Sequence, residues 1–346
     1  MDIKDLDFQI PRELIALYPK KPRHDSNLVI VDEKYKIVKF KEIIHLLHPG
    51  DAIVFNNTKV IYADFDGFIN NRKISINLNK VEDKKKNIWS VFIKTKKKLK
   101  VGDNIKIFNR YFANVKKLNN EVIFLKFTLS YIKLKEQIKK YGRAPLPPYI
   151  KKRGHKKSDF SDYQSVFAKN YGAVAAPTAS LHFTSKLIKE LEKKKIKIIK
   201  VTLHVNGGTF IPIRDNNIIK HSMHYEEGFI SKKSAEEINK IKNKGGKIIA
   251  VGTTVLRLLE SSKDENGYIK PFKADTNIFI KPGWKINTID GIITNFHTPR
   301  STLLLLVFAI IGKRKTHQLY NFAVKKKMRF FSYGDACLIW RKNEKY

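Results

Sequence analysis

Residues 248–262, IIAVGTTVLRLLESS, place four apolar residues ahead of a glycine, two threonines and an apolar-rich run. The first part reads as a short buried strand, and apolar residues at 255, 256, 258 and 259 read as one side of a helix. Gly252 supplies the turn between them, and Thr253 or Thr254 is placed to cap the helix. A buried strand turning directly into a helix is the unit of α/β proteins, which hold ligands at the carboxyl ends of their strands. The same unit recurs outward from this point. TSKLIKELEKKK (184–195) predicts a helix capped by Thr184 or Ser185, leading into the strand IKIIKVTLHV (196–205). SAEEINKIKNKGG (234–246) predicts a helix with a capping box from Ser234 to Glu237 and a glycine stop. GIITNF (291–296), STLLLLVFAIIG (301–312) and FFSYGDACLIW (330–340) read as strand, buried helix and final strand. At the other end PRELIAL (11–17) reads as helical. SNLVIVD (26–32), YKIVKF (35–40), amphipathic FKEIIHLLHPG (40–50) and the apolar strand DAIVFN (51–56) follow it.

Between these halves the periodicity changes. KISINLNKV (73–81), NIWSVFIKT (87–95), NIKIFNRYFANVKK (104–117) and EVIFLKF (121–127) alternate apolar and polar residues, with Asn, Gly and Asp turns between them. They predict a small β-barrel. KLKEQIKKYG (133–142) then reads as a helix and APLPPYI (144–150) as a stiff extended link, because proline fixes φ and restricts the residue before it. The expected architecture is a layered α/β core domain from 1–60 and 151–346, interrupted by an inserted small β-barrel domain with its linker over 61–150. No internal repeat of fixed period is found.

The chain of 346 residues is 42% hydrophobic and 11% aromatic, which suits a globular protein with more than one core. Cys337 is the one cysteine, so no intramolecular disulfide forms and a reducing, cytoplasmic setting is expected. The start, MDIKDLDFQIP, lacks the basic and apolar regions of a signal peptide, and the longest apolar segment is too short for a bilayer. No membrane association is expected. Lys and Arg number 69 against 32 Asp and Glu, a net charge of +37 that would draw any polyanion, nucleic acid first. Biased composition filling neutral surface positions accounts for such a charge equally simply.

Familiar catalytic motifs are missing: there is no G-x-G-x-x-G, P-loop or G-x-S-x-G, and one cysteine excludes thiolate zinc clusters. His221 and His224 in HSMH would need further ligands to hold a metal, and none is expected. What remains is a set of uncharged or nearly uncharged stretches that turn at polar residues after expected strands. GAVAAPTASLHFT (172–184) carries His182, VTLHVNGGTFIPI (201–213) carries His204, and IITNFHTPRST (292–302) carries His297. Imidazole is the usual proton carrier near neutrality, although each histidine would fit as well as a hydrogen-bonded core or loop residue. Gly207 and Gly208 would let backbone approach a ligand or simply form a turn. The GTT turn (252–254) could present N–H groups to a carboxylate or phosphate.

At these stretches the sequence resembles the S-adenosylmethionine:tRNA ribosyltransferase-isomerase family of queuosine biosynthesis. The matching segments are collinear along nearly the whole chain: DFQIPRELIALYP, GDAIVFNNTKVI, APLPPYI, YQSVFAKNYGAVAAPTASLHFT, VTLHVNGGTFIPI, HSMHYE, IAVGTTVLRLLES, TNIFIKPG, IITNFHTPRSTLLLLV and FFSYGDACLI. The match is weakest inside the expected β insertion. Where the family usually reads FNDTRV, PTAGLHFT, HVGAGTF and GTTSVRTLES, this chain has FNNTKV, PTASLHFT, HVNGGTF and GTTVLRLLES. Asn57 thus stands for a carboxylate, and Ser180 and Asn206 for glycines.

The resemblance implies that S-adenosylmethionine is a co-substrate rather than a prosthetic group. It donates its ribosyl moiety to 7-aminomethyl-7-deazaguanine at tRNA position 34, giving epoxyqueuosine with release of adenine and methionine. It implies a fold of α/β and β-barrel domains, with tRNA as partner through its anticodon loop. A monomer is expected. His182, His204 and His297 form the pool for the required base and acid, with no individual roles assigned. Substrate-binding candidates are Asn56, Gly207, Gly208, Thr209, Gly252, Thr253, Thr254, Arg257, Glu260, Asn295, Arg300, Tyr333 and Asp335. Arg257 either grips the donor carboxylate or pairs with Glu260 along its helix. Because the donor is a sulfonium cation, an uncharged cleft within a basic exterior is expected. The other readings are a drifted, non-catalytic RNA-binding protein, which would bind RNA without releasing adenine, and a methyltransferase, which would leave the nucleoside intact.

Overall fold

The computed structural model describes residues 3–96, 98–119, 122–210, 213, 218 and 223–341. The chain's first strands are β1 (Asn27–Val31) and the edge strand β2 (Tyr35–Lys39), followed by the short helix α1 (Ile43–Leu46) and the wholly buried strand β3 (Ala52–Asn56). A three-residue strand β4 (Thr58–Val60) then leads into β5 (Asp64–Ile69), β6 (Arg72–Asp83), β7 (Ile88–Lys94), β8 (Asn104–Ile107), β9 (Tyr111–Leu118) and β10 (Ile123–Phe127). These last six strands close into a barrel in the order β10-β7-β6-β5-β8-β9. Alternation is the cause: Ile74, Ile76 and Leu78 of β6 point inward with Val91, Ile105, Val115 and Leu125, and all are buried. The barrel is tight enough that a Cβ on Gly67 would lie 2.8 Å from Ile105 and 2.9 Å from Ile76.

Helix α2 (Tyr131–Tyr141) follows, capped by Ser130, which accepts from Lys133 N. Arg143 then reaches back to Asp66 at 2.7 Å, and Lys151 pairs with the buried Asp64, fastening the return path to the first barrel strand. After α3 (Pro148–Lys151) and α4 (Asp159–Asp162), strand β11 (Asn170–Ala173) pairs with β4. The remaining elements are α5 (Ser185–Lys193), β12 (Lys197–Leu203), β13 (Glu226–Ile230), α6 (Lys232–Asn243), β14 (Ile248–Val251), α7 (Thr253–Ser262), β15 (Phe272–Thr276), β16 (Gly291–Asn295), α8 (Thr302–Lys325) and β17 (Ala336–Trp340).

Nine strands form one sheet in the order β15-β13-β12-β3-β14-β16-β17-β1-β2. Strands β12, β3, β14 and β16 are parallel, while β17 runs antiparallel to β16. Alternate residues feed opposite faces. Ala52, Val54, Ile248 and Ala250 pack under α6, α7 and α8, whereas Ile53, Phe55, Ile249 and Val251 pack against α1 and α5. Burying each of the Val, Ile and Phe side chains contributes about 1.5–3 kcal/mol. The fold class is therefore α/β with a closed barrel, as the sequence implied.

Several local expectations change. PRELIAL forms only a single 3-10 turn at Arg12–Leu14, because Ile15 bridges to Phe330 and Ala16 N donates to Phe330 O at 3.2 Å. Helix α6 starts at Lys232 with Ser231 as its cap, so Ser234 lies inside the first turn rather than before it. The run 301–312 does not end at its glycine. Gly312, at φ +75, breaks the helical path, and α8 resumes to Lys325.

Candidate functional site

The parallel strands end along one edge, and β3 is the point where the connections diverge. The path from β3 to β12 runs through α5 on one face, and the path from β12 to β14 through α6 on the other. Ligand crevices in open α/β sheets lie at this kind of divergence. Asn56 occupies the carboxyl end of β3 and is fully buried. Its side chain accepts from Thr58 N and Leu203 N at 3.1 Å, and donates to Leu203 O at 2.9 Å and Thr254 Oγ1 at 3.4 Å. All four bonding positions of its amide are thus used within the protein, which makes it a clip between β3, β12 and α7.

The turn at 252 is as the sequence implied in outline. Gly252 has φ +91, where a side chain would be strained, and it precedes α7. Neither threonine caps the helix through its side chain; Thr254 is taken by Asn56 instead. Arg257 is buried on α7 and pairs with Glu226 rather than Glu260. Its Nε also donates to Ile278 O at 3.3 Å, and its Nη2 has no partner among the described residues. Glu226 in turn accepts from Asn206 N at 3.0 Å, so this ion pair holds the start of the NGG turn. Glu260 serves another segment, accepting from Trp284 Nε1 at 2.9 Å and Thr288 Oγ1 at 2.7 Å, and pairing with Lys263 at 2.6 Å.

The three histidines share the edge but not one hollow. His182 is buried, with Nδ1 2.7 Å from Ser26 Oγ and Nε2 3.2 Å from Asn295 Nδ2. Asn295 Nδ2 also donates to Phe331 O at 3.2 Å, and its Oδ1 accepts from Thr178 at 3.1 Å. That network assigns Nε2 as acceptor and Nδ1 as donor, the neutral imidazole. Burial, with help from the Arg329 and Arg23 cations, pushes His182 down to about 3. The ring stacks on Phe40 at 4.8 Å, so it fastens the 178–182 turn to β16 and β1. His297 lies toward α8, its Nε2 2.9 Å from Thr294 Oγ1 and its N–H donating to Tyr320 at 2.8 Å; burial pushes it to about 3 as well. His204 differs. Its Nδ1 is 2.7 Å from Thr58 Oγ1, Nε2 has no partner among the described residues, and burial lowers its pKa against the opposing charge of Glu227.

His204 opens on a cavity of about 700 Å³ between the sheet edge and the barrel. Gly172 forms its floor: a Cβ there would stand 2.7 Å from Cε1 and Nδ1 of the imidazole. The barrel contributes Asn79, whose Oδ1 accepts from Gly207 N at 2.9 Å, so a barrel residue holds the NGG turn. Glu227 supplies a carboxylate beside His204, and Lys80, Lys84, Lys135 and Lys139 line the outer part with Tyr131 and Tyr171. The expectation of an uncharged cleft is therefore corrected. GAVAAPTASLHFT is uncharged because Ala173–Ala176 and Ala179–Phe183 are buried, while the open cavity carries lysines in its own wall.

The other candidates fall as follows. Gly207 and Gly208 lie in the 3-10 turn Gly207–Phe210, with Gly208 against His224; the Thr209 side chain and His221 lie outside the described residues. Asp335 is buried and accepts from Asn27 N at 2.8 Å and Arg329 N at 2.9 Å, fixing the loop before β17. Tyr333 is buried with its hydroxyl unpartnered among the described residues, and burial raises its pKa. Arg300 is exposed and pairs with Asp7, away from the cavity. Asn79, Gly172, Glu226 and Glu227 were not singled out from sequence; only the placement of the barrel over the edge shows their role. Among the described residues no three His, Cys, Asp or Glu side chains group as a metal site, and no helix is long and apolar enough to cross a membrane.

A parallel sheet edge roofed by a barrel, with a histidine and a glutamate in a cationic cavity, defines an α/β enzyme with an accessory β-barrel. The sequence family described as "Queuosine biosynthesis protein" matches residues 3–339, and the chain belongs to it. A Rickettsia bellii protein named S-adenosylmethionine:tRNA ribosyltransferase-isomerase is 44% identical, over 99% of this chain and 100% of its own length. A Zymomonas mobilis protein of the same name is 42% identical over 98% and 99%. A crystal structure of a Thermotoga maritima S-adenosylmethionine tRNA ribosyltransferase is 30% identical, covers 97% of this chain and 99% of that one, and superposes with a TM-score of 0.55.

Proposed function

We propose that this chain, an enzyme of the S-adenosylmethionine:tRNA ribosyltransferase-isomerase type, transfers and isomerises the ribosyl moiety of S-adenosylmethionine. The acceptor is 7-aminomethyl-7-deazaguanine at position 34 of a tRNA, and epoxyqueuosine, adenine and methionine are the products. Family membership along nearly the whole chain supports the reaction type. The observation that carries the site is the cavity in which His204 presents an Nε2 without a partner among the described residues, beside Glu227. A neutral imidazole can accept a proton, as forming a nucleophilic amine from the ammonium of the acceptor base requires. Glu227 offers that ammonium an opposite charge. The Arg257 Nη2, without a partner among the described residues, suits the donor carboxylate. His182 and His297 keep both the 178–182 turn and the 294–297 turn in register, as positioning residues with hydrogen-bonded rings.

We also propose that 1–60 with 151–346 and 61–150 act as two domains. The separate barrel core supports this division, as does the tie from Arg143 to the first barrel strand within 61–150. The chain works in the cytoplasm as a monomer in this reading. The test is adenine release. Incubated with S-adenosylmethionine, the protein should liberate adenine with tRNA bearing the 7-aminomethyl base and none with tRNA bearing guanine at 34. Binding of both tRNAs without adenine would instead support a non-catalytic RNA-binding protein.

A further inference from the structure

The barrel side of the cavity carries charges that the fold itself does not use. Lys84, at the end of β6, and Lys135 and Lys139, on one face of α2, are exposed and have no acidic partner among the described residues. Lys80 is different, since it pairs with Asp275 at 2.6 Å. Lys135 and Lys139 are four residues apart, a spacing at which like charges repel and destabilise a helix. Lys59 comes first in holding the Tyr171 hydroxyl below its ordinary value, and the charges of Lys139 and Lys135 act in the same direction. Aromatic surface is interleaved with this charge. Lys84 and Lys135 lie 5.2 and 5.5 Å from the centre of Tyr131, and Lys59 lies 4.5 Å from that of Tyr171. Tyr171 is 53% exposed, and Ile132, on the same stripe of α2, is 70% exposed.

Ammonium groups without an acidic partner among the described residues, set beside aromatic rings, match the chemistry of a single-stranded nucleic acid, whose phosphates take the charge while its bases stack. We infer that the β6–α2 wall is an RNA-gripping surface: Lys84, Lys135 and Lys139 hold backbone phosphates on either side of an unstacked nucleotide that enters the cavity toward His204. The inserted barrel is then a working part of substrate capture and not only a cover. This rests on the proposed reading of the cavity as the acceptor site, and it adds which part of the protein binds the RNA and through which groups. An extruded base lies deep in the cavity, and the lysines at its mouth fix the flanking backbone.

The test is tRNA binding by fluorescence anisotropy over a potassium chloride series. The wild type is compared with a Lys84→Gln, Lys135→Gln, Lys139→Gln variant and with an equal-charge control. The control is Lys189→Gln, Lys193→Gln, Lys244→Gln, exposed residues on helices whose ends lie at the opposite edge of the sheet. Each lost phosphate contact lowers the slope of log K against log salt by about 0.7 for a single strand, so the cavity variant should lose about 2 from the slope. Its affinity should fall at least tenfold, and the control should stay within twofold of wild type. Equal losses in both variants, or none in the cavity variant, would overturn the inference. Because the readout is binding, it is separable from the reaction. A wild type that makes no product, with a cavity variant that still loses tRNA, would sink the proposed activity and leave the RNA surface standing.

Discussion

Gly172→Ala gives the sharpest local test of the role of His204. Gly172 does not have positive φ, so alanine fits its backbone without strain, and the whole effect comes from the added carbon. That carbon would lie 2.7 Å from Cε1 and Nδ1 of His204, and 2.8 Å from Cγ. Carbon contacts settle at roughly 3.5–4.0 Å, so the ring must retreat by roughly 1 Å. The retreat takes Nδ1 away from Thr58 Oγ1, now 2.7 Å distant, and forfeits a bond worth about 1 kcal/mol. With the repacking cost, G172A should be less stable by about 1–3 kcal/mol in urea denaturation. A reacting group displaced by about 1 Å costs on the order of 10²-fold in rate. Single-turnover adenine release with correctly modified tRNA should therefore fall about a hundredfold, while tRNA affinity holds. If G172A is destabilised as expected yet releases adenine at the wild-type rate, His204 is not the proton acceptor. If it is not destabilised at all, the clash argument is wrong.

Three further outcomes follow from the same network. His182 has its folded pKa at about 3 against an ordinary 6.5, so its contribution to stability is complete above 6.5 and is lost as pH falls toward 3. The loss is about 1.4 kcal/mol per pH unit, with the same sign from His297. Urea midpoints at pH 5.5 and 4.5 should show this drop in wild type and a shallower one in His182→Gln, and equal slopes would count against it. Glu226→Gln leaves the buried Arg257 cation without its anion and should cost about 3–5 kcal/mol in denaturant unfolding, whereas a loss below 1 kcal/mol would show that the pair is not load-sharing. Glu227→Gln should raise KM for tRNA bearing the 7-aminomethyl base by about tenfold, a loss of about 1.4 kcal/mol, and leave KM for the donor unchanged; the reverse pattern would move Glu227 away from the acceptor.

How much of this was legible in the sequence depended on whether the cause was local. The strand-turn-helix at 248–262 and the alternation of 73–81 state their structures directly, because burial period and turn chemistry act over a few residues. PRELIAL misled because its helical propensity is outweighed by a bridge to Phe330, more than 300 residues away in the chain. Similarly, the lack of charge in 172–184 was visible, but whether it marked a cleft or a buried turn was decided by Ser26, Phe40 and Asn295, all distant in sequence. Asn56 and Glu260 are candidates through the resemblance, yet both act as structural clips, and a residue type alone does not separate a ligand contact from a clip. Asn79 and Lys135 gave no signal of their own. They sit in ordinary strand and helix patterns and acquire meaning only when the closed barrel sets them over the edge that carries His204.

The fate of the donor's ribose carbons separates ribosyl transfer from every other use of S-adenosylmethionine. The protein is supplied with S-adenosylmethionine labelled with carbon-13 at all ribose carbons and with tRNA bearing the 7-aminomethyl base, and nucleoside 34 is then weighed after digestion. Every labelled ribose carbon should appear in that nucleoside, with unlabelled adenine set free in equal amount. An unlabelled nucleoside 34, or one heavier by a methyl group alone, would contradict ribosyl transfer.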